Sequence, residues 1–238
     1  MSDFLSGIIA GVAQTVIGHP FDTIKTRIQL YPDGYYKSIS NLYKYEGVRS
    51  LYKGSFFPLF NGCIQNGFLF WGENLFYNET NNHAISGFLS GSIVSLLTNP
   101  SDIVKCTIQN EKNKHLRLNE AFKKISKFKF NFYTGFTANY LRESFNYAIY
   151  FSTYYGLQSI YSNALINGGI SGITSWTSSY IFDVIKTNKY IKHDVPYPKL
   201  IKMINWKNSF KGLGVVIIRA FFVNAGIFQI FELTKELL

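Results

Sequence analysis

Pro20-Phe21-Asp22-Thr23-Ile24-Lys25 is the stretch that decides the fold, because the chain of 238 residues carries three versions of it. The other two are Pro100-Ser101-Asp102-Ile103-Val104-Lys105 and Ile181-Phe182-Asp183-Val184-Ile185-Lys186. A pair of glycines precedes each version at one fixed distance: Gly7 and Gly11, Gly87 and Gly91, and Gly168 and Gly172. A long period of this kind sets the architecture before any local feature does. We therefore predict a single domain, 1–238, built from three tandem repeats at approximately 1–80, 81–162 and 163–238.

Long segments without charge alternate with basic stretches along the chain. Asp, Glu, Lys and Arg are absent from residues 4–21, 84–101 and 144–182. Apolar stretches of about 20 residues match the hydrocarbon core of a bilayer. The mean hydropathy of +0.02 is low for a membrane protein, and polar inner faces together with basic loops would account for it. We predict six transmembrane helices, roughly at 4–30, 55–77, 84–109, 136–160, 164–189 and 213–236. A soluble all-α protein is the alternative, and it leaves the repeat unexplained.

The net charge of +10 comes largely from the stretches between the predicted helices, at about 31–54, 110–135 and 190–212. The connectors near 78–83 and 162–167 carry almost no charge. Because basic loops favour the side of a membrane where they are not translocated, all three basic stretches are expected on one side. A basic chain also invites a nucleic-acid interpretation. No recognition motif accompanies these residues, so we expect no nucleic-acid partner.

Residue types that usually form catalytic or metal centres are scattered in this sequence. Cys63 and Cys106 are lone thiols without metal or redox spacing, and the four histidines form no ligand cluster. A glycine-rich phosphate loop, a nucleophile elbow and an HExxH motif are missing from the sequence. We therefore predict that the protein is not an enzyme and that it has no metal and no cofactor.

The glycine pairs have the small-xxx-small spacing that lets membrane helices approach closely. Together with the three Pro-x-Asp-x-x-Lys motifs, and with Glu46-Gly47 followed by Tyr52-Lys53-Gly54, they resemble the mitochondrial carrier family over the full chain. The resemblance implies an all-α membrane protein, a six-helix barrel of three pseudo-symmetric repeats around a central cavity. It also implies a multi-pass monomer in the mitochondrial inner membrane that is accessible in turn from the cytosol and the matrix. The partners it implies are a small-molecule metabolite and membrane lipid, including cardiolipin.

The repeated motif is interpreted as a gate on the matrix side. Pro20 and Pro100 remove a backbone donor and kink their helices, whereas Ile181 should leave a weaker bend. The Asp and Lys of each copy lie three residues apart, on one helical face. The resemblance implies pairs between repeats, Asp22–Lys105, Asp102–Lys186 and Asp183–Lys25, with Gln29 and Gln109 as braces beneath them. Tyr190 stands where the third repeat would carry its glutamine.

A second gate is expected on the cytosolic side, where the family pattern is an aromatic residue, an acid, two residues of any kind and a base. One copy keeps this pattern, through Glu232 and Lys235 in the last predicted helix. In the second predicted helix the acid, Glu73, comes one place early, and the fourth offers Tyr154 and Tyr155. The gate is thus degraded, and the sequence leaves open whether it leaks or closes through hydrogen bonds.

Asn61, Arg142 and Arg219 occupy one equivalent position midway through the second helix of each repeat. A charge at this depth costs about 2.5–3.5 kcal/mol unless it is paired or faces water, so both arginines are predicted to be functional. Glu143 follows Arg142, and in the family an Arg followed by an acid at this position accompanies amino-acid-type substrates, including ornithine-like, acylcarnitine and S-adenosylmethionine carriers. A zwitterion offers a carboxylate to an arginine and a cationic nitrogen to a carboxylate. Gln65 is a further predicted cavity residue; the alternative is that Arg142 and Glu143 merely neutralise each other.

The sequence therefore predicts a transporter that moves an amino-acid-like or zwitterionic metabolite by alternating access. Two alternatives remain open at this point. In the first alternative, the transported substrate is a keto acid or a nucleotide. In the second, the chain is a carrier-fold scaffold or receptor that no longer transports. Ile181 and the degraded cytosolic gate favour the second alternative.

Overall fold

The computed structural model describes residues 2–30, 52, 55–110, 123, 125–126, 131–204 and 213–237, without the side chains of 22–30, 56–57, 105, 107–110, 131, 191 and 215. These ranges contain seven α-helices, one 3-10 helix at Asn131–Tyr133 and no strand. The helices are α1 Ser2–Leu30, α2 Phe56–Thr80, α3 His83–Asn110, α4 Phe136–Gln158, α5 Ala164–Ile191, α6 Tyr197–Met203 and α7 Leu213–Leu237. The predicted all-α fold class is confirmed.

The six long helices begin and end within three residues of the predicted bounds, but α6 was not predicted. It lies inside the stretch at about 190–212, which the sequence analysis assigned to a basic loop. Pro198 occupies its first turn, where a missing N–H group leaves no hydrogen bond unmade. Leu200 anchors it, with 0% of its surface exposed. Seven residues are too few for an apolar period to be recognisable in the sequence.

The six long helices form a closed ring. Each packs against the next one along the chain, α1 on α2, α2 on α3, α3 on α4, α4 on α5 and α5 on α7, and α1 closes the ring against α7. The connectors 81–82 and 159–163 join α2 to α3 and α4 to α5 at one end of the ring, which we call the connector end. The opposite end is the loop end. This ring of antiparallel helices is the predicted barrel.

The glycine pairs lie where the two long helices of one repeat touch. A β-carbon on Gly91 would lie 2.6 Å from the carbonyl oxygen of Glu143, and one on Gly168 would lie 2.7 Å from that of Asn224. Gly11 approaches the backbone of α2 just as closely. Side chains do not fit at such distances, so the paired helices reach this separation only because these positions lack one.

The polarity of the long helices is the inverse of that in a soluble protein. Ser171, Ser175 and Ser179 of α5 are 0% exposed, and their hydroxyls donate to carbonyl oxygens three or four residues earlier. Outward-facing apolar side chains are exposed instead, including Val16 and Phe222 at 51% each. Such a surface suits lipid, and buried hydroxyls that are satisfied within their own helix avoid the cost of an unpaired polar group.

Two of the described helices are long and apolar enough to cross a membrane when judged by length and hydropathy alone. They contain the segments Ser2–Phe21 in α1 and Val216–Leu237 in α7. In α3 and α5 the buried serines lower the mean hydropathy, although these helices are equally long. Hydropathy therefore understates a span whose polar face is turned inward.

Candidate transport site

Five charged side chains from α3, α4 and α5 form one cluster: Asp102, Arg142, Glu143, Asp183 and Lys186. Lys186 Nζ donates to Asp102 Oδ2 at 2.7 Å and lies 3.9 Å from Glu143 Oε1. Because α3 and α5 are not neighbours in the ring, the Asp102–Lys186 contact crosses its interior. Arg142, Glu143 and Lys186 are buried, at 7%, 1% and 6% exposure. Buried charges are tolerated when each has an opposite partner, so the cluster ties these three helices together.

Arg142 is held from three sides. Its Nη1 donates to Glu143 Oε1, and its Nε lies 3.6 Å from Asp183 Oδ1. The guanidinium also lies over the indole of Trp176 on α5, 4.6 Å from the ring centroid, a distance at which cation–π attraction acts. Sequence reasoning missed Trp176. The only signal was one large aromatic residue in the stretch Ser171–Ser179, which apart from Ile173 is otherwise made of Gly, Ser and Thr.

The cluster contains three carboxylates but only two cations among the described side chains. Glu143 Oε2 is buried and has no hydrogen-bond partner among the described residues. Leaving a buried acceptor unpaired costs about 1–3 kcal/mol, and more for a charged group. The Asp102 and Asp183 side chains keep 27% and 30% of their surface exposed. The described side chains thus leave one buried carboxylate oxygen of the cluster without a donor.

The three residues at the equivalent position each contact the first helix of the following repeat. Asn61 Oδ1 accepts a long hydrogen bond of 3.5 Å from Ser101 on α3, and Arg142 contacts α5 as described. A β-carbon at Gly18 of α1 would lie 3.3 Å from Arg219 Nη2. The described contacts do not join the three residues to one another.

Gln65 faces the interior of the ring. Its Nε2 donates to the Tyr147 hydroxyl at 3.0 Å, and Tyr147 belongs to α4, which is not a neighbour of α2 in the ring. This contact was not predicted, although Gln65 was expected in the cavity. A polar bridge therefore spans the interior one turn beyond Asn61.

The predicted matrix gate lies at the loop end and is described in part. The Asp102–Lys186 contact is the pairing expected between the second and third repeats. Tyr190, in the place of the third brace, is 2% exposed; its hydroxyl donates to Asn99 Oδ1 at 2.8 Å, and Lys186 Nζ lies 5.8 Å from its ring centroid. The side chains of Asp22, Lys25, Gln29, Lys105 and Gln109 lie outside the described residues. The weaker bend at Ile181 stays a prediction.

Three phenylalanines close the ring toward the connector end, and each comes nine residues after one of the equivalent polar positions. Phe70, Phe151 and Phe228 are 1%, 0% and 0% exposed. Their ring centroids are 5.8, 5.7 and 6.3 Å apart, and every pair meets edge to face. Offset and edge-to-face contacts of this kind are the favourable aromatic geometries. One residue from each repeat thus meets the other two inside the ring.

Polar contacts lie at the connector end beyond these phenylalanines. The Tyr154 hydroxyl donates to Glu232 Oε1 at 3.2 Å, and Lys235 Nζ lies 2.9 Å from Asp3 Oδ1 on α1. Glu73 Oε1 lies 2.8 Å from His83 Nδ1. Glu232 and Lys235 therefore both bridge helices: Glu232 meets Tyr154, a residue of the expected gate, and Lys235 meets Asp3, which the sequence did not indicate. In this structure the connector end is closed by aromatic rings and by these contacts.

Comparison with known proteins identifies the family of this chain. A family model described as "Mitochondrial carrier protein" matches residues 1–78 and 76–165. The chain is 31% identical, over its whole length, to mitochondrial substrate carrier family protein S of Dictyostelium discoideum and covers 98% of that protein. It is 28% identical to mitochondrial ornithine transporter 1 of Saccharomyces cerevisiae, with 99% of this chain and 95% of that protein covered. It is also 28% identical to the mitochondrial basic amino acids transporter of Rattus norvegicus, with 95% and 86% covered.

The relatives extend the match to the third repeat, which the family model does not reach. The six-helix ring, the threefold motif and these full-length similarities agree. The chain belongs to the mitochondrial carrier protein family, and it is a multi-pass transporter of the mitochondrial inner membrane.

Proposed function

We propose that this carrier transports an amino acid with a cationic side chain, of the lysine, arginine or ornithine type. The observation that carries the proposal is the Glu143 carboxylate oxygen that is buried inside the ring and has no hydrogen-bond partner among the described residues. An ammonium or guanidinium group would supply the missing donors. The yeast and rat relatives, named as transporters of ornithine and of basic amino acids, support the same class. A keto acid or a nucleotide would instead bring further negative charge to the three carboxylates.

The two ends of such a substrate call for different partners. Arg219 is assigned to the α-carboxylate, because a guanidinium can bind a carboxylate through two parallel hydrogen bonds. Glu143 is assigned to the side-chain cation, with Asn61 and Gln65 as neutral polar contacts. Arg142 is already directed at Glu143, so its assigned role is to fix that carboxylate in position.

Substrate binding and gating would share atoms at Glu143. The carboxylate lies 3.9 Å from Lys186, which also holds Asp102 across the ring. A cation bound at Glu143 would compete with Lys186 for this carboxylate and would loosen the loop end. A ligand shifts a conformational equilibrium only through contacts that differ between the two states. The proposed matrix gate comprises Asp22–Lys105, Asp102–Lys186 and Asp183–Lys25 with Gln29 and Gln109.

The connector end is assigned to the cytosolic side, because the repeated motif of the family faces the matrix. Glu232 and Lys235 belong to the proposed cytosolic gate, together with Phe70, Phe151 and Phe228. The Lys235–Asp3 pair joins the neighbouring helices α7 and α1, the Tyr154–Glu232 contact crosses from α4 to α7, and the phenylalanines fill the space between the helices. A gate of this composition would close without the ion pairs that the second and fourth predicted helices have lost.

Uptake by proteoliposomes tests the proposal. The purified carrier would be reconstituted and offered labelled lysine, arginine, ornithine, leucine, 2-oxoglutarate and ADP, each with internal substrate present and absent. We expect saturable uptake of the cationic amino acids at least about tenfold faster than of leucine, since a hydrogen bond to a charged group contributes about 1.5–3 kcal/mol. Preferential uptake of 2-oxoglutarate or ADP would contradict the proposal. A correctly folded carrier that takes up none of these solutes would favour the scaffold alternative.

A further inference from the structure

His83 lies at the connector end between two tyrosine rings. Its imidazole stacks on Tyr77 of α2 with centroids 3.9 Å apart and on Tyr155 of α4 with centroids 3.7 Å apart, at interplanar angles of 8° and 14°. His83 Nδ1 lies 2.8 Å from Glu73 Oε1. Glu73 is 4% exposed and also accepts from Ser86 at 3.3 Å. The first residue of α3 is therefore fastened to the helices on both sides of it.

A second contact of the same kind joins α7 to α1. Asp3 and His83 occupy equivalent places in their repeats, each four residues before the first glycine of the pair. Lys235 of α7 pairs with Asp3, and Glu73 of α2 pairs with His83. Each pair connects the end of the second helix of one repeat to the start of the first helix of the next, with acid and base exchanged. In the third repeat this place is Ala164, which cannot form such a pair.

The histidine stack is attached to the aromatic closure of the ring. Tyr155 contacts Phe151, with ring centroids 6.3 Å apart. Glu73 comes three residues after Phe70, one turn further along α2. Opening of the connector end would separate Phe70 from Phe151 and would pull Tyr77 and Glu73 away from Tyr155 and His83. The contacts of His83 therefore oppose the movement that opens the gate.

We propose that His83 and Glu73 form a proton-sensitive latch of the cytosolic gate, which holds the connector end closed when the imidazole is protonated and weakens when it is neutral. Histidine is the side chain that ordinarily changes charge between about pH 5 and 8. Protonation makes the imidazole a cation, and its Coulomb attraction to the Glu73 carboxylate is stronger in a partly buried site than in bulk water. Lys235 and Asp3 make the equivalent contact without a histidine, so the response to protons is assigned to the His83 contact alone.

The groups around His83 and its partners Glu73 and Tyr155 come from four helices. Glu73 and Tyr77 of α2 and Tyr155 of α4 contact the imidazole. Lys235 of α7 acts on Glu73 from a greater distance, and Glu232 of α7 and Asp3 of α1 act on Tyr155. Only Glu73 among these described groups reaches hydrogen-bond distance of the imidazole. The response to protons is therefore assigned to this one pair.

Labelling of a cysteine below the gate tests the latch without knowledge of the substrate. Gln65→Cys, in a background with Cys63→Ser and Cys106→Ser, places a thiol inside the ring on the far side of Phe70 from the connector end. Mitoplasts present the cytosolic face of the carrier to a membrane-impermeant maleimide at pH 6.0 or 8.0. The rate with His83→Gln is divided by the rate with His83 at the same pH, so that the pH dependence of the thiol itself cancels. We expect a ratio of at least about five at pH 6.0 and close to one at pH 8.0.

Control variants separate the latch from a general loss of structure. Glu73→Gln should reproduce the effect of His83→Gln. Lys235→Gln should raise the labelling rate by the same factor at pH 6.0 and at pH 8.0. His193→Gln, at the loop end, should leave labelling unchanged. If His83→Gln proves poorly folded, Glu73→Gln alone gives the same comparison. A ratio that is the same at both pH values, or a ratio of one at pH 6.0, would overturn the proposal.

Discussion

At the scale of single residues, Trp176 and Arg142 explain how a carboxylate is held in one orientation inside the ring. The indole covers one face of the guanidinium, and Glu143 and Asp183 approach its edge. Cation–π attraction is worth about 0.5–2 kcal/mol depending on desolvation. Arg142 in turn fixes Glu143, the group assigned to the substrate cation. Trp176 is therefore a positioning residue, which should act on the substrate through Arg142 and Glu143.

Replacement of Trp176 by leucine should weaken substrate binding, whereas phenylalanine should largely preserve it. The loss of the aromatic face, at about 0.5–2 kcal/mol, predicts a KM for cationic amino acids raised about two- to thirtyfold in Trp176→Leu. Phenylalanine keeps a face for the guanidinium, so Trp176→Phe should stay near the wild-type KM. The measurement is the concentration dependence of initial uptake. Equal KM values for the two variants would show that the indole only fills space.

The sequence alone was enough to select Arg142 and Glu143 as candidate site residues, because charged residues are rare in membrane-spanning segments. It could not reach Trp176, since an aromatic residue in an apolar helix is ordinary until the fold places a guanidinium over it. It did not indicate the contact between Asp183 and Arg142. The predicted Asp183–Lys25 pair stays a prediction, because the side chain of Lys25 lies outside the described residues. Partners on other helices depend on how the ring closes, which local spacing does not determine.

At the scale of helices, the Asp102–Lys186 pair is the described link between the first helices of the second and third repeats. Removing one partner leaves the other as an uncompensated, largely buried charge, and such losses cost about 3–5 kcal/mol. We expect Asp102→Lys and Lys186→Asp each to lower initial transport at least about tenfold. The double swap should recover at least about threefold over the worse single variant, because the coupling between contacting residues is restored. Recovery smaller than this would show that the pair does not act as a unit.

The glycine pairs at the helix contacts should not tolerate the addition of even a methyl group. Gly91→Ala places a β-carbon 2.6 Å from the carbonyl oxygen of Glu143, so α3 and α4 must separate or shift. Overpacking of this kind costs about 1–3 kcal/mol and should lower the apparent Tm of the detergent-solubilised carrier by several degrees. Gly156→Ala in α4 is the matched control, because nothing lies within 4 Å of its added carbon. Equal Tm values for the two variants would contradict the close packing.

Helix bounds were predictable because the charge-free segments, the basic stretches and the glycine pairs repeat in one register. The short helix α6 was not predictable, since its existence depends on the burial of Leu200 against the rest of the protein. The way in which the connector end is closed was also not predictable from the sequence. The family pattern directs attention to charged residues there, while the structure closes this end largely with phenylalanines and with contacts to Asp3 and His83.

At the scale of the whole molecule, the threefold repeat distributes one set of tasks over three similar units. Each repeat supplies a glycine face, a phenylalanine to the closure and one polar residue at the equivalent interior position. The residues proposed to select the substrate are those at which the repeats differ. Only the second repeat carries an acid beside the equivalent position, because Gly62 and Ala220 stand where Glu143 does. Under the proposed function, this asymmetry would give the interior one place for the substrate cation and a separate place, at Arg219, for its carboxylate.

The most direct test of this account compares the uptake of lysine with that of norleucine, which has the same side-chain carbons and no ammonium group. Initial rates would be measured in proteoliposomes with wild type, Glu143→Gln and, as a control, Glu236→Gln at the exposed end of α7. We expect wild type and Glu236→Gln to prefer lysine at least about tenfold, since a hydrogen bond to a charged group contributes about 1.5–3 kcal/mol. Glu143→Gln should lower this preference to near one. Two results would contradict the assignment of Glu143 to the substrate cation. One is equal uptake rates for lysine and norleucine in wild type; the other is a decrease in both uptake rates by the same factor in Glu143→Gln.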